Sequence, residues 1–341
     1  MSLNEQWPSQ SGNWESRMPE KLLSVVIPTY NMEAYLRRCL DSVTRDDVPP
    51  SLELIVVNDG SSDNSLAIMQ EYAKKRPDIV NIIDKPNGHY GSCINAALKI
   101  ATGKYFRILD ADDWFDTDGL IALLQTLNRT DSDLIISSYC CHRNHSTYTI
   151  QPQIIDYTKE YSPEDSGIWS KQNPSLFAMH AFTYKRAILL DAKLKLTEGV
   201  CYTDTEYLLY PLSMTHSIFF AKSTLYHYDW TREGQSMDKE VYARNHNHLA
   251  RIILRFFNEL ELSNYLCKRI FRDTLVKYYY RMLFCCRDDK ELIVIDRQVI
   301  QNKELKIGID KKLFKAPSLW RVFGMHFFFY EKIKKILGME R

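Results

Sequence analysis

Tyr105-Phe106-Arg107-Ile108-Leu109-Asp110-Ala111-Asp112-Asp113 is an apolar run that breaks into three carboxylates within four residues. Like charges this close repel one another unless something positive sits between them. The first five residues read as a buried strand, so the acids stand at its carboxyl end, the edge where open α/β sheets bind ligands. Hard carboxylate oxygens in that place suit Mg²⁺ or Mn²⁺. On these residues alone, an acidic turn with a helix cap explains the cluster about equally well, since Asp serves in both roles.

The segments on either side alternate strand and helix. Leu22 to Ile27 is a β-branched run that halts at Pro28, and Glu33 to Val43 has helical spacing. Leu52 to Val57 is a second buried strand ending in Asn58-Asp59-Gly60, followed by caps at Ser61, Ser62 and Asp63 for a helix through Lys75. Val80 to Ile83 and Leu134 to Ser138 read as further strands, Ser92 to Ala101 and Asp118 to Leu127 as helices. Strands separated by helices of this length mean βαβ units and a mainly parallel sheet. Residues 145–235 are of mixed pattern, with a helix from Thr203 and strands at Ile218 to Ala221 and Thr224 to Trp230. Beyond Asp238 the spacing is helical, and Leu249, Ile252, Ile253, Phe256, Phe257 and Leu260 make one apolar face.

Composition narrows the function classes. With 341 residues, 45% of them hydrophobic and 26% charged, the chain is globular, with room for one large domain and an appendage. Forty-four basic residues against 43 acidic ones leave a net charge of +1, so no global field draws in nucleic acid. Eight dispersed cysteines without a C-x-x-C suggest a reducing compartment. Cys140-Cys141-His142 with His145 lacks the second paired half of a zinc site. His246 and His248 fall on different faces of a helix and read as surface residues. No run reaches the ~18 apolar residues of a membrane span, and there is no signal-peptide core. Residues 1–20 read as a loosely ordered leader, and the expected location is cytoplasmic.

Three strand ends therefore carry polar signals to one sheet edge: Pro28-Thr29-Tyr30-Asn31, Asn58-Asp59-Gly60 and the acidic tetrad. A carboxylate such as Asp59 can accept the N–H of a pyrimidine base, and Gly60 permits close backbone approach. The tetrad can hold a ribose hydroxyl and a divalent cation that bridges a diphosphate. Neither a G-x-G-x-x-G after the first strand nor a G-x-x-x-x-G-K-[ST] is present, which disfavours dinucleotide and P-loop chemistry.

Together Ser24-Val25-Val26-Ile27-Pro28-Thr29-Tyr30-Asn31, Val56-Val57-Asn58-Asp59-Gly60-Ser61-Ser62-Asp63 and Leu109-Asp110-Ala111-Asp112-Asp113 resemble the family 2 glycosyltransferases, over about residues 22–237. The resemblance implies a GT-A fold, which is Rossmann-like with a mainly parallel sheet and helices on both faces, followed by a C-terminal helical extension. It implies a nucleotide-sugar half at about 21–130, an acceptor half at about 131–237 and a helical region at 238–341. Thr29 and Asp59 match positions that contact the base, most often uracil. Asp110 matches the carboxylate on the ribose and Asp112 the metal ligand, with Asp113 supporting the loop. Lys85 to Ser92 resembles the family's glycine-rich loop, although Ile94-Asn95 stands where many members have Arg-Asn. The nucleotide-sugar set implied is Pro28, Thr29, Tyr30, Asn31, Asp59, Asn87, Gly88, Asp110, Ala111 and Arg232. An Asn87-Gly88 turn without further role explains that pair equally well.

Thr203-Asp204-Thr205-Glu206 is a capping box on its own terms. By resemblance it occupies the place of the motif whose Asp is the catalytic base, which points to Asp204 with Glu206 in reserve. Pro211 is expected to kink or shorten that helix. Tyr226 to Met237 resembles the closing segment of a bacterial capsule and exopolysaccharide subgroup. In it Arg232 either pairs with the diphosphate or lies at the surface beside Glu233. His227 is either a further metal ligand beside Asp112 or a strand residue satisfied in place.

The implied activity is metal-dependent, inverting transfer from a nucleotide-diphospho-sugar to a glycan or lipid-linked hydroxyl, with Mg²⁺ or Mn²⁺ as cofactor. A nucleotidyltransferase would want a glycine-rich basic segment where this chain has Pro28 to Asn31. The alternative of another class is a non-catalytic nucleotide-sugar or glycan-binding subunit of a polysaccharide assembly complex. Residues 312–341 hold seven basic side chains against Glu331 and Glu340, interleaved with aromatics. They either lie on an anionic membrane surface, at the inner face of the cell membrane, or pack on protein.

Overall fold

In the computed structural model the described residues are 21–143, 146–232, 235, 241 and 244–285. The expected leader and the basic C-terminal end at 312–341 lie outside them. The chain folds around one mixed ten-stranded sheet. Its first half reads β1 (Leu23–Thr29), α1 (Leu36–Asp41), β2 (Leu52–Asp59), α2 (Ser65–Lys75), β3 (Val80–Lys85), α3 (His89–Ile100) and β4 (Tyr105–Ile108). Then follow β5 (Trp114–Phe115), α4 (Thr117–Leu127), β6 (Leu134–Arg143), β7 (Ser146–Ile150), β8 (Glu160–Tyr161) and α5 (Ser166–Trp169). The remainder is β9 (Phe182–Lys185), α6 (Arg186–Asp191), α7 (Asp204–Leu212), β10 (Ile218–Asp229), α8 (His246–Glu259) and α9 (Tyr265–Cys285).

The sheet runs β3-β2-β1-β4-β9-β6-β10-β5, with β7 on β6 and β8 on β10. Every residue of β1 and β2 is buried, as continuous Val, Ile and Leu runs in a parallel sheet covered on both faces must be. Each such side chain contributes about 1.5–3 kcal/mol when fully removed from water. A charged side chain is buried among them, Glu53, the second residue of β2. It accepts from the Ser24 hydroxyl at 2.5 Å and from the Thr102 amide and hydroxyl, both at 2.9 Å, so its burial leaves few lone pairs unmet.

β1 to β4 pair in parallel, and β10 pairs in parallel with β6. Short β9 lies antiparallel between β4 and β6, a strand the sequence pattern did not announce. Because β9 reverses twice over, β4 and β6 point the same way. The carboxyl ends of β1, β2, β4, β6 and β10 therefore share one edge.

Two further expectations change in detail. The runs at 218–221 and 224–230 are one strand, β10, with irregular register around Thr224. The C-terminal helices do not stand apart: Leu249, Ile252, Ile253 and Phe256 of α8 are buried, and Asn264 donates to the Leu212 carbonyl at 2.8 Å. Pro211 sits one residue before the end of α7, which stops at Leu212. No described helix is long and apolar enough to cross a membrane.

Candidate active site

The first two strand ends are tied to each other. Asn31, at φ 53, adopts the left-handed conformation that Asn tolerates. Its side-chain oxygen accepts the Ser62 amide at 2.8 Å and its own amide donates to Ser61 Oγ at 3.1 Å. Asp63 accepts the Glu33 amide and Glu33 accepts the Asn64 amide, each at 2.9 Å. Gly60 carries φ +72, and a Cβ there would stand 2.9 Å from the Asn87 nitrogen; the β2 and β3 loops approach too closely for any side chain. Asp59 Oδ1 accepts the Gly88 amide at 2.9 Å and an ammonium bond from Lys85. Lys85 also donates to Ser92 Oγ at 2.8 Å. A basic residue therefore reaches this region after all, from β3 rather than from the helix.

Leu109 leads into a turn closed by the Asp113 amide on the Asp110 carbonyl at 3.0 Å. The helix cap that the acidic-turn reading required is supplied by Asp116, which accepts the Gly119 amide at 2.6 Å, so the tetrad is free of that duty. Arg38 holds the turn from outside, donating to the Asp112 carbonyl at 2.6 Å and to Asp229 at 2.9 Å. Asp113 is engaged at both oxygens, by the Tyr226 hydroxyl at 2.6 Å and the Asp229 amide at 2.8 Å. Asp110 Oδ1 accepts the Tyr90 hydroxyl at 2.7 Å. Asp112 pairs with Arg232 at 2.7 Å.

Burial, then the neighbouring Asp112 charge, pushes the Asp110 carboxyl up to about 7; the same causes push Asp113 well above the usual range. Too much negative charge is collected here for the surrounding dipoles to offset. One ligand atom each of Asp110, Asp113 and His180 lie within 4.8 Å of one another. Carboxylate oxygens with one imidazole fit a hard divalent cation, and Asp112 lines the same cavity.

The imidazole grouped with the tetrad carboxylates is that of His180. His227 is not brought to the tetrad: strand alternation sends it to the face opposite Tyr226 and Tyr228. There its Nδ1 lies 2.9 Å from His142 Nε2 and its ring stacks on Trp114. Burial lowers its pKa, and His142 lowers it further. His180 arrives on the turn before β9, stacked on Tyr228 at 4.3 Å and edge-on to Tyr226 at 4.7 Å. Its carbonyl accepts a bond from Arg107, a fully buried cation that burial lowers to about 10. Nothing in the sequence pattern marked His180 or Arg38, and Tyr90 stood out only as part of the loop from Lys85 to Ser92.

Asp204 opens α7 and lines the same cavity. The capping box does not form: Thr203 makes no side-chain cap bond. Glu206 turns inward and accepts the Thr197 amide and hydroxyl and the Arg255 guanidinium, each at 2.7 Å. This ties the residues before Asp204 to α8. Beside it the Cys201 amide donates to His248 Nδ1 at 3.2 Å, so His248 is built into the site's support and is not a plain surface residue.

One cavity of about 830 Å³ joins these groups, within the range of small-molecule sites. Pro28, Thr29, Tyr30, Asp59, Asn87, Asp110, Ala111, Asp112, Asp204 and Arg232 line it, whereas Asn31, Gly88 and His227 do not. Asn31 and Gly88 act on its shape through Ser62 and Asp59.

The sequence model described as glycosyl transferase family 2 matches residues 24–190. A Mycoplasma pneumoniae protein described as an uncharacterized glycosyltransferase, the MG025 homolog, is 30% identical over 226 residues, which are 63% of this chain and 70% of that protein. Among solved structures, S. aureus TarS 1–349 in complex with UDP-GlcNAc superposes with a TM-score of 0.68 at 19% identity, covering 93% of this chain and 92% of that one. The mannosyltransferase PcManGT from Pyrobaculum calidifontis, in complex with GDP-Man and Mn²⁺, gives 0.52 at 14% identity over 97% and 92%.

Proposed function

The chain belongs to glycosyl transferase family 2, and we propose that it moves a sugar, with inversion, from a nucleotide-diphospho-sugar to a hydroxyl of a glycan or lipid-linked acceptor. A UDP-sugar is the donor in this reading, and bacterial surface polysaccharide synthesis is the setting. The observation that carries the proposal is the convergence of Thr29, Asp59, Asp110, Asp112 and Asp204 on one cavity at the carboxyl edge of the sheet. The UDP-GlcNAc bound by TarS supports the donor class.

In the proposed reaction the acceptor oxygen forms a bond to the anomeric carbon as the bond from that carbon to the diphosphate oxygen breaks. Asp204 takes the acceptor proton and the electron pair leaves on the diphosphate. A general base contributes typically about 10²–10⁴-fold. Asp110, Asp113 and His180 form the cluster suited to hold Mg²⁺ or Mn²⁺, with Asp112 the ligand that the family resemblance implies, and the Mn²⁺ in PcManGT supports that cofactor class. A divalent cation there supplies Lewis-acid stabilisation of the leaving diphosphate. Arg232, which pairs with Asp112, is in this reading a partner for phosphate oxygens.

Thermal shift of the full chain against a panel of nucleotides and nucleotide-sugars, with and without MnCl₂, tests the reading. Stabilisation by a UDP-sugar that depends on the cation is expected, because a ligand bound to the native state alone raises its stability. No shift from any nucleotide would contradict it.

A further inference from the structure

The cavity continues past Asp204 along β6 and β7, and its character changes there. Tyr148 and Ile150 share a face of β7 and oppose Cys141 and Tyr139 on β6. All four line the cavity, together with Phe177 and, from α9, Thr274. Among the described residues, none contributed to the lining by β6, β7, positions 174–179 or α9 is an Asp, Glu, Lys or Arg. Two described cations stand on lining rings without lining the cavity themselves: Arg269 lies over the Phe177 ring at 5.1 Å and Arg143 over Trp230 at 4.5 Å. The donor side is the opposite, with Asp59, Asp110, Asp112 and Arg232.

Tyr148 is the large exception to burial on this wall, with 41% of its surface exposed. A half-exposed ring standing in a cavity wall offers an apolar face and a polar hydroxyl tip. The C–H face of a pyranose matches such a ring, and the sugar's equatorial hydroxyls match hydroxyl partners such as Thr274. A carboxylate or phosphate on the ligand would find no Lys or Arg among the described lining residues of this wall and would lose hydration there.

We propose that the wall formed by Tyr148, Ile150 and Phe177 is the acceptor subsite and takes an uncharged pyranose ring stacked on Tyr148. The proposal rests on the transferase reading above and adds the acceptor's chemical class. The wall and Asp204 line one cavity, so an acceptor held there shares it with the proposed base.

The test measures nucleoside diphosphate release by the full chain from the stabilising nucleotide-sugar with Mn²⁺, first alone and then with methyl glycosides. The probes are neutral hexosides, N-acetylhexosaminides and the matching uronides. Neutral glycosides should accelerate release, and uronides at equal concentration should not. Tyr148→Ala should raise the KM for the neutral glycoside about tenfold, the size of a lost ring contact. The loss should fall on the acceptor KM and not on kcat, and Tyr148→Phe should behave as wild type. Preference for a uronide, failure of every neutral glycoside, or an unaltered KM in Tyr148→Ala overturns the subsite while leaving the transferase reading intact. A loss that falls on kcat in Tyr148→Ala also overturns it. Absence of both nucleotide binding and donor hydrolysis in the wild type overturns the two together.

Discussion

The two sides of the cavity are built by different rules. On the β1–β4 side, parallel strands deliver their polar residues directly from the strand ends, and those residues bind one another: Asn31 to Ser62, Asp59 to Gly88 and Lys85. On the β6–β10 side the strands are mixed, and groups from distant positions meet side by side, as His180 does with Tyr226 and Tyr228. The first side is prepared for charge and the second for rings. In the proposed reading, a nucleoside-diphosphate donor is met by fixed loops and acceptor choice is set by what a less regular wall presents.

That contrast can be broken most severely at Asp112. Asp112→Asn should lower turnover by roughly 10²–10³-fold, in line with removal of one electrostatic contact to the reacting centre, and should abolish cation-dependent thermal shift by nucleotide. Unchanged cation dependence in that variant would remove Asp112 from the metal site.

Next comes Glu206, which ties the segment before Asp204 to α8. Glu206→Leu leaves Arg255 without its buried partner and should cost on the order of 3 kcal/mol in urea unfolding. Transfer should fall with it, because the residues before Asp204 lose their tie to α8. Nucleotide affinity should change little, since the donor loops are held by other bonds; equal loss of both would erase the division between the two sides.

A smaller effect is expected at Gly60. Gly60→Ala meets Asn87 and a left-handed φ, so about 1–2 kcal/mol of stability should be lost. Nucleotide affinity should weaken while acceptor KM stays constant.

The mildest perturbation is pH. Asp110, raised to about 7, keeps its proton in the folded chain, while the unfolded chain releases it near 4. The folded state thus binds more protons between those values, and stability falls as pH rises through that window. Asp113 acts in the same direction. The effect is moderated by hydrogen bonds from Tyr90 and Tyr226, which favour the charged forms. Melting temperature without cation should therefore decline from pH 5 to 7.5, and the stabilisation given by MgCl₂ should grow over the same range. A cation effect independent of pH would contradict these carboxylates as its ligands.

How much was legible follows the same division. The strand-and-helix alternation through Leu127 could be read because each parallel strand is a continuous apolar run ending in its own polar loop, as with Tyr105 to Asp113. β9 could not: Phe182–Lys185 is four residues long and pairs antiparallel with strands far away in sequence, so no local period marks it. For His227 the segment's resemblance left a metal ligand and a strand residue satisfied in place both open, and a period of two decides its face. His180 reaches the acids through a turn whose position depends on β9 and Arg107. Glu206 read as a cap because spacing alone cannot reveal Thr197 and Arg255.

The most direct test of the account is Asp204→Asn, measured for nucleotide-sugar binding and for sugar transfer in the same preparation. Binding should match the wild type within about twofold while transfer falls by roughly 10²–10⁴-fold, the range of a lost general base. Near-normal transfer would contradict Asp204 as the base and, with it, the assignment of one side of the cavity to the donor and the other to the group that attacks it.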